Sequence, residues 1–174
     1  MAYRPPALLE KHHRLEHFRC EEPALTDWLQ RHARAAQADG SSRVYVVTLD
    51  DTDDVVGYFA LAAASVAPAD ATPRVLKGQP AHHAVPAVLL ARLARDDRHR
   101  GAGLGPALLQ DALLRSIQAA DVIGARALPV HAKSERARAF YMKYGFQESP
   151  TDPLHLLMLM KDVGEVISKA SAIE

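Results

Sequence analysis

The chain has 174 residues, 48% hydrophobic and 24% charged, an ordinary globular composition whose length fits one domain with a real core better than two. Lysine plus arginine equals aspartate plus glutamate, 21 against 21, so the overall charge calls for no polyanionic partner, and no apolar run reaches the roughly 18 residues of a membrane span. The N-terminal residues lack a charged and then apolar leader, and Cys20 is the only cysteine, so the expectation is a cytoplasmic protein, one domain over residues 1–174, without disulfide or membrane contact.

Glu22-Pro23 opens a stretch in which Leu25, Trp28, Leu29, Ala33 and Ala36 recur at helical spacing. Proline suits its first turn and Gly40 its exit, so the spacing predicts one amphipathic helix. Arg43 to Leu49 and Val55 to Ala63 are rich in β-branched and aromatic residues around the turn formers Asp50 to Asp54, which predicts an antiparallel hairpin. Pro68 to Pro86, with four prolines, one glycine and His82-His83, reads as an irregular surface excursion.

Val85 to Ala94 resumes as an apolar strand, Arg98 to Gly105 follows as a glycine-rich turn, and Leu104, Leu108, Ala112, Leu113 and Ile117 mark the next helix. Arg126 to Ala132 predicts another strand. Ser134 is placed to cap a short helix whose apolar face is Ala137, Phe140, Tyr141 and Tyr144, ended by Gly145. Leu154 to Met160 predicts a last strand, and the tail from Asp162 a weak helix. The sum is an α/β protein whose sheet is mixed, because a hairpin precedes the strand–turn–helix unit.

A strand that enters a helix through glycines makes an anion site, because the helix N-terminus offers unpaired N–H groups and a partial positive charge. The segment Arg98-His99-Arg100-Gly101-Ala102-Gly103-Leu104-Gly105 lacks the Gly-Lys-Ser/Thr ending of a Walker loop. Pro106 stands where a dinucleotide fingerprint needs its third glycine. The pattern it does meet is Arg/Gln-x-x-Gly-x-Gly, in Arg100, Gly103 and Gly105 and again in Arg98, Gly101 and Gly103. Pro106 has no N–H, so phosphate donors must come from the amides of residues 101 to 105 and from Ala107 onward. Arg92, Arg95, Arg98 and Arg100 add a local positive field. A tight turn without a ligand explains the glycines equally well.

Downstream stands Phe140-Tyr141-Met142-Lys143-Tyr144-Gly145-Phe146. With this second motif in the right order, the sequence resembles the GNAT acetyltransferase superfamily. The resemblance implies a GNAT fold: a mixed, mostly antiparallel sheet with helices on both faces and a splayed central strand pair. It implies acetyl-CoA as cosubstrate, its pyrophosphate on Arg98, Arg100, Gly101, Ala102, Gly103, Leu104 and Gly105, and a backbone N–H near Leu93 or Ala94 for the thioester oxygen. Tyr141 is expected as the general acid toward the departing thiolate, since a phenol of pKa near 10 holds its proton at neutral pH. Many members carry Asn where this chain has Ser134, which is expected to cap the helix or touch the cofactor.

A closer resemblance runs along nearly the whole chain. His17-Phe18-Arg19-Cys20-Glu21, Leu25-Thr26-Asp27-Trp28-Leu29, Gln37 to Val47, Gly57-Tyr58-Phe59, Leu90 to Ala94, Val130-His131-Ala132-Lys133 and Asp152 to Leu156 look like the GNAT toxins of bacterial toxin–antitoxin pairs. Ala91 and Arg95 depart from the glycine and valine expected there. The resemblance implies acetylation of the α-amine of aminoacyl-tRNA, blocked translation, a ribbon-helix-helix antitoxin and a homodimer. Arg92, Lys133, Arg136 and Arg138 flank the expected centre as candidates for tRNA contact. An α-amine of pKa near 8 is partly neutral at physiological pH, so no catalytic carboxylate is demanded. The alternatives are a GNAT enzyme for a small amine or a protein N-terminus, and a module that binds coenzyme A or a partner without turnover. No metal is expected: His12-His13 and His82-His83 are adjacent pairs whose side chains should point apart at the surface, and no Cys/His/Asp spacing supports a metal centre.

Overall fold

A computed structural model describes residues 2–171, with side chains through Ser168. Its strands follow the hydrogen-bonded order β1-β2-β3-β4-β5-β7-β6, where β1 is Ala7–Leu8, β2 Arg43–Thr48, β3 Val55–Val66, β4 Val85–Arg95, β5 Ala127–His131, β6 Gln147–Glu148 and β7 His155–Leu159. The helices are α1 (Pro23–Arg31), α2 (Ala33–Asp39), α3 (Pro73–Leu76), α4 (Leu104–Ile123), α5 (Glu135–Lys143) and α6 (Met160–Ser171). Among the described ladders only β4–β5 is parallel, and the others are antiparallel, so the mixed, mostly antiparallel sheet is present. Two compact units divide the chain: residues through Ala62 with Ala91–Ala112, and Ala63–Leu90 with the residues from Leu113 onward.

In the first unit β2 and β3 pair from Arg43↔Leu61 to Thr48↔Val55 with an irregularity at Val47/Thr48, and β1 adds Ala7↔Val46 and Leu8↔Tyr45. The predicted hairpin is therefore flanked by an edge strand too short to leave a periodic signal. The single predicted helix is two, α1 and α2, meeting at His32, whose φ of −122° leaves the helical range. The expected exit holds, with Gly40 at φ 80°. Phe18, Leu29, Val44, Tyr58 and Ala60 form the core with Ala94 of β4. A Cβ on Gly57 would stand 3.0 Å from Leu108 Cδ1 and 3.2 Å from Leu104 Cδ2, so glycine lets the first turns of α4 lie directly on β3.

In the second unit β5 pairs with β4 at Ala87↔Ala127 and Leu90↔Val130 and with β7 from Ala127↔Leu159 to His131↔His155. The described β4–β5 register ends at Leu90, while β4 runs on to Arg95. The stretch predicted as irregular contains a 3-10 turn at Pro68–Asp70 and α3, whose first turn is capped by Thr72 Oγ1 accepting from Val75 N at 3.3 Å. Four helical residues are too few to show a period. α6 starts at Met160, directly after β7, two residues before the predicted tail helix. Val66, Val75, Val85, Ala87, Ala127, Leu157 and Leu159 are buried together.

Candidate active site

β4 carries Arg92, Leu93 and Ala94 toward its C-terminal end. Ala94 is buried in the core, and Leu93 is partly exposed. The Arg92 guanidinium lies 4.2 Å from the centroid of the Trp28 ring, itself stacked on Tyr58 at 6.0 Å with 12° between planes. Burial draws the Arg92 pKa down, against an opposing pull from Tyr58. Tyr58 is anchored by its hydroxyl donating to Leu25 O at 2.7 Å.

Beyond β4 the chain is locked by Asp96, whose side chain is fully buried. Its carboxylate accepts from Arg98 N at 2.9 Å, Arg98 Nε at 2.9 Å, Arg98 Nη2 at 2.8 Å and Arg19 N at 3.1 Å. Its own N–H donates to Val56 O at 2.8 Å. Burial pushes the Asp96 carboxyl up, but these hydrogen bonds outweigh it and hold the pKa below the usual carboxylate range. Arg98 also donates to His17 O at 3.0 Å, so Nε and Nη2 of its fork are engaged while the side chain stays exposed. The next residue, buried His99, meets the Tyr3 hydroxyl through Nδ1 at 2.9 Å. Arg100 is exposed, with Glu21 at 3.4 Å and Asp97 at 3.8 Å.

The glycine turn follows. Gly101 and Gly103 have φ of 79° and 76°, a left-handed backbone that costs any other residue about 1–2 kcal/mol. A Cβ on either, or on Gly105, would meet nothing within 4 Å, so the space outside the turn is open. Among the described residues nothing accepts from the N–H groups of Gly101, Ala102, Gly103, Leu104 or Gly105, and the first bond of α4 is Ala107 N to Gly103 O at 3.2 Å. These free donors at a helix start suit a pyrophosphate.

In the second unit Ser134 caps α5, its Oγ accepting from Ala137 N at 3.1 Å. Gly145, at φ 100°, closes the helix with Phe146 N donating to Tyr141 O at 3.3 Å. Tyr141 is 6% exposed and packs edge-on against Phe140 at 5.2 Å and Phe146 at 5.4 Å. Burial alone raises its pKa well above the ordinary phenol value. Lys133 and Arg136 are exposed. Arg138 is engaged internally by Pro153 O, Glu135 and Glu148, which ties α5 to β6 and to the turn that follows it.

The sequence reading missed Asp96, and its only signal was an acid standing between the strand and the arginines. It also misjudged one histidine pair. His12 and His13 do not point apart: their rings lie 4.1 Å from each other, and His13 is buried with Nδ1 accepting from Glu10 N at 2.9 Å. His82 and His83 are exposed as expected. A pair it never joined, His131 and His155, stacks at 4.2 Å across β5 and β7. No cluster of three potential metal ligands occurs among the described residues.

An open row of amide donors at the head of α4 and, in the second unit, a buried tyrosine on a capped helix are each features that an acyltransferase of coenzyme A type would use. Residues 40–148 match the acetyltransferase (GNAT) domain family, and the chain belongs to that family. It is 50% identical over 150 residues to a tRNA-acetylating toxin of Mycobacterium tuberculosis (strain ATCC 25618 / H37Rv), covering 86% of this chain and 88% of the relative. A probable toxin TacT of Sinorhizobium fredii (strain NBRC 101917 / NGR234) is 32% identical over 81% of this chain and 82% of its own. Among solved structures, AtaT complexed with acetyl-methionyl-tRNAfMet superposes with a TM-score of 0.85 at 25% identity, covering 94% of this chain and 98% of that one. AtaTR bound with acetyl-CoA superposes at 0.80 with 26% identity, over 95% and 98%.

Proposed function

We propose that this acetyltransferase is a toxin that moves the acetyl group of acetyl-CoA onto the α-amine of an aminoacyl-tRNA and thereby stops translation. The observation that carries the substrate is the 50% identity, over most of both chains, to a tRNA-acetylating toxin. The cosubstrate follows from the free N–H groups of Gly101 to Gly105 and from the acetyl-CoA held by a structural relative. As a toxin it would act in the cytoplasm as a single catalytic domain, restrained by an antitoxin of ribbon-helix-helix type, and as a homodimer.

In this reading the amides of Gly101, Ala102, Gly103, Leu104 and Gly105, with exposed Arg100, hold the pyrophosphate. Arg98 acts through Asp96 as a positioning residue for the turn. Ser134 supports the same site by fixing the start of α5. A backbone N–H at Leu93 or Ala94 receives the developing oxyanion, a contact whose removal typically costs about 3 kcal/mol. Tyr141 keeps its proton and offers it to the departing sulfur. A buried phenol is a weaker acid than a thiol of pKa about 8.5, so transfer to the thiolate is uphill unless the phenol is reprotonated. The attacking amine gains a positive charge and must shed a proton, which balances that transfer. Arg92, Lys133 and Arg136 remain the candidates for contact with the tRNA end.

The test is direct. Purified protein incubated with acetyl-CoA and a pool of charged tRNA should yield N-acetyl-aminoacyl ends by mass spectrometry, and induction without an antitoxin should arrest growth. Normal growth together with unmodified charged tRNA would sink the proposal. Acetylation of small amines or protein N-termini alone would move the chain to the other branch of the family.

A further inference from the structure

Arg74, Lys77, Arg126 and Lys161 line an open cavity of about 500 Å3 whose other walls are Ala125, Leu159 and Met160. It lies wholly in the second unit, at the entry to β5, whereas Ser134 and α5 follow from the exit of the same strand. None of its residues belongs to the site described above. Its size is that of a ligand cleft.

Its charges are not balanced from within. Arg74 forks onto Asp162, Nε to Oδ2 at 3.0 Å and Nη2 to Oδ1 at 2.7 Å, with Glu165 adding to the field on that arginine. One cation is thereby neutralised. Among the described residues Arg126 is held only by carbonyls, Nε donating to Val75 O at 2.7 Å and Nη2 to Lys77 O at 2.9 Å. It is fixed with no carboxylate partner among the described residues. The side-chain ammonium groups of exposed Lys77 and Lys161 form no hydrogen bond or ion pair among the described residues, though Lys161 helps draw the Asp162 pKa down. Three positive charges from the end of α3, the entry to β5 and the start of α6 thus face one concavity. Cations gathered this way repel each other until a polyanion enters. Their spread over three segments, around an apolar floor of Leu159 and Met160, suits a run of sugar and phosphate better than one small anion.

We propose that this cavity is a second RNA-binding site that takes phosphodiester groups of the tRNA body, away from the reacting 3′ end. The inference rests on the tRNA reading of the function. Its test compares wild type with the double variant Lys77→Gln, Lys161→Gln, binding full-length tRNA and a short acceptor-stem RNA with the same 3′ end, followed by fluorescence anisotropy. Both positions are exposed, and equal melting temperatures would confirm an intact fold. The double variant should bind full-length tRNA about tenfold more weakly, and the slope of log affinity against log salt should fall by roughly 1.5–2. Binding of the acceptor stem and of acetyl-CoA should not change. Unchanged affinity and salt slope on full-length tRNA overturn the proposal. Equal losses on both RNAs also overturn it, since they place the lysines at the reacting end. Binding of inorganic phosphate that the variant loses while tRNA binding is kept makes this a small-anion site, again against the proposal. These binding readouts need no turnover, so failure to acetylate charged tRNA would count against the proposed function and leave this test standing.

Discussion

The Tyr141 phenol is packed between Phe140 and Phe146, and burial keeps it protonated across the physiological range. Tyr141→Phe should therefore lower kcat for acetyl transfer about 100-fold or more, while the affinity for acetyl-CoA measured by calorimetry stays unchanged. An unaltered kcat would remove the hydroxyl from the reaction. Asp96 makes a different kind of demand, for it receives four donors. Asp96→Asn should cost about 1–3 kcal/mol in denaturant unfolding and raise KM for acetyl-CoA more than it lowers kcat. Rescue by Asp96→Glu is not expected, because the longer side chain has no room in a fully buried site. Tyr141 was legible in the sequence because it sits in a seven-residue motif. Asp96 was not, because what gives it weight is a contact with Arg19, 77 residues away. Arg98 was legible as basic and near the turn, and only the fold shows that Nε and Nη2 of its fork are engaged by Asp96.

At the scale of elements the glycine turn separates conformation from space. Gly103 needs its left-handed φ, whereas Gly105 has an ordinary φ and an open flank. Gly103→Ala should lose about 1–2 kcal/mol of stability. Gly105→Ala should leave unfolding unchanged or raise stability by up to about 1 kcal/mol. Yet the alanine at 105 should still increase KM for acetyl-CoA severalfold, because its Cβ enters the space through which a pyrophosphate reaches the amides. Unfolding curves and steady-state kinetics on the two variants check this together. The long elements, β2, β3, β4 and α4, were readable because their apolar periods run for several residues. The break at His32 and the short strands β1 and β6 were not, since they depend on pairing and local backbone angles that no period records.

Across the whole molecule, acid sensitivity should centre on two histidines. His13 has its pKa lowered by burial and then by His12, and His155 by burial and then by His131. A histidine depressed in the folded state takes up its proton first in the unfolded chain. Its contribution to stability is full above about pH 6.5 and is lost as pH falls below that value through the folded pKa. Stability measured from pH 7.5 to 5 should decline, and His13→Gln or His155→Gln should flatten the slope. A profile that stays flat in wild type would exclude this role. Long-range ties carry one more consequence, in the order of events during synthesis. Asp96 meets Arg19 and Val56, and His99 meets Tyr3, so the long-range part of the clamp ahead of the glycine turn is made with residues synthesised well before it. On a ribosome the hairpin and α1 can form early, while the clamp must wait until β4 has left the exit tunnel. The newborn chain therefore passes through an interval in which this clamp cannot close, and that interval ends no earlier than the arrival of the ninety-ninth residue.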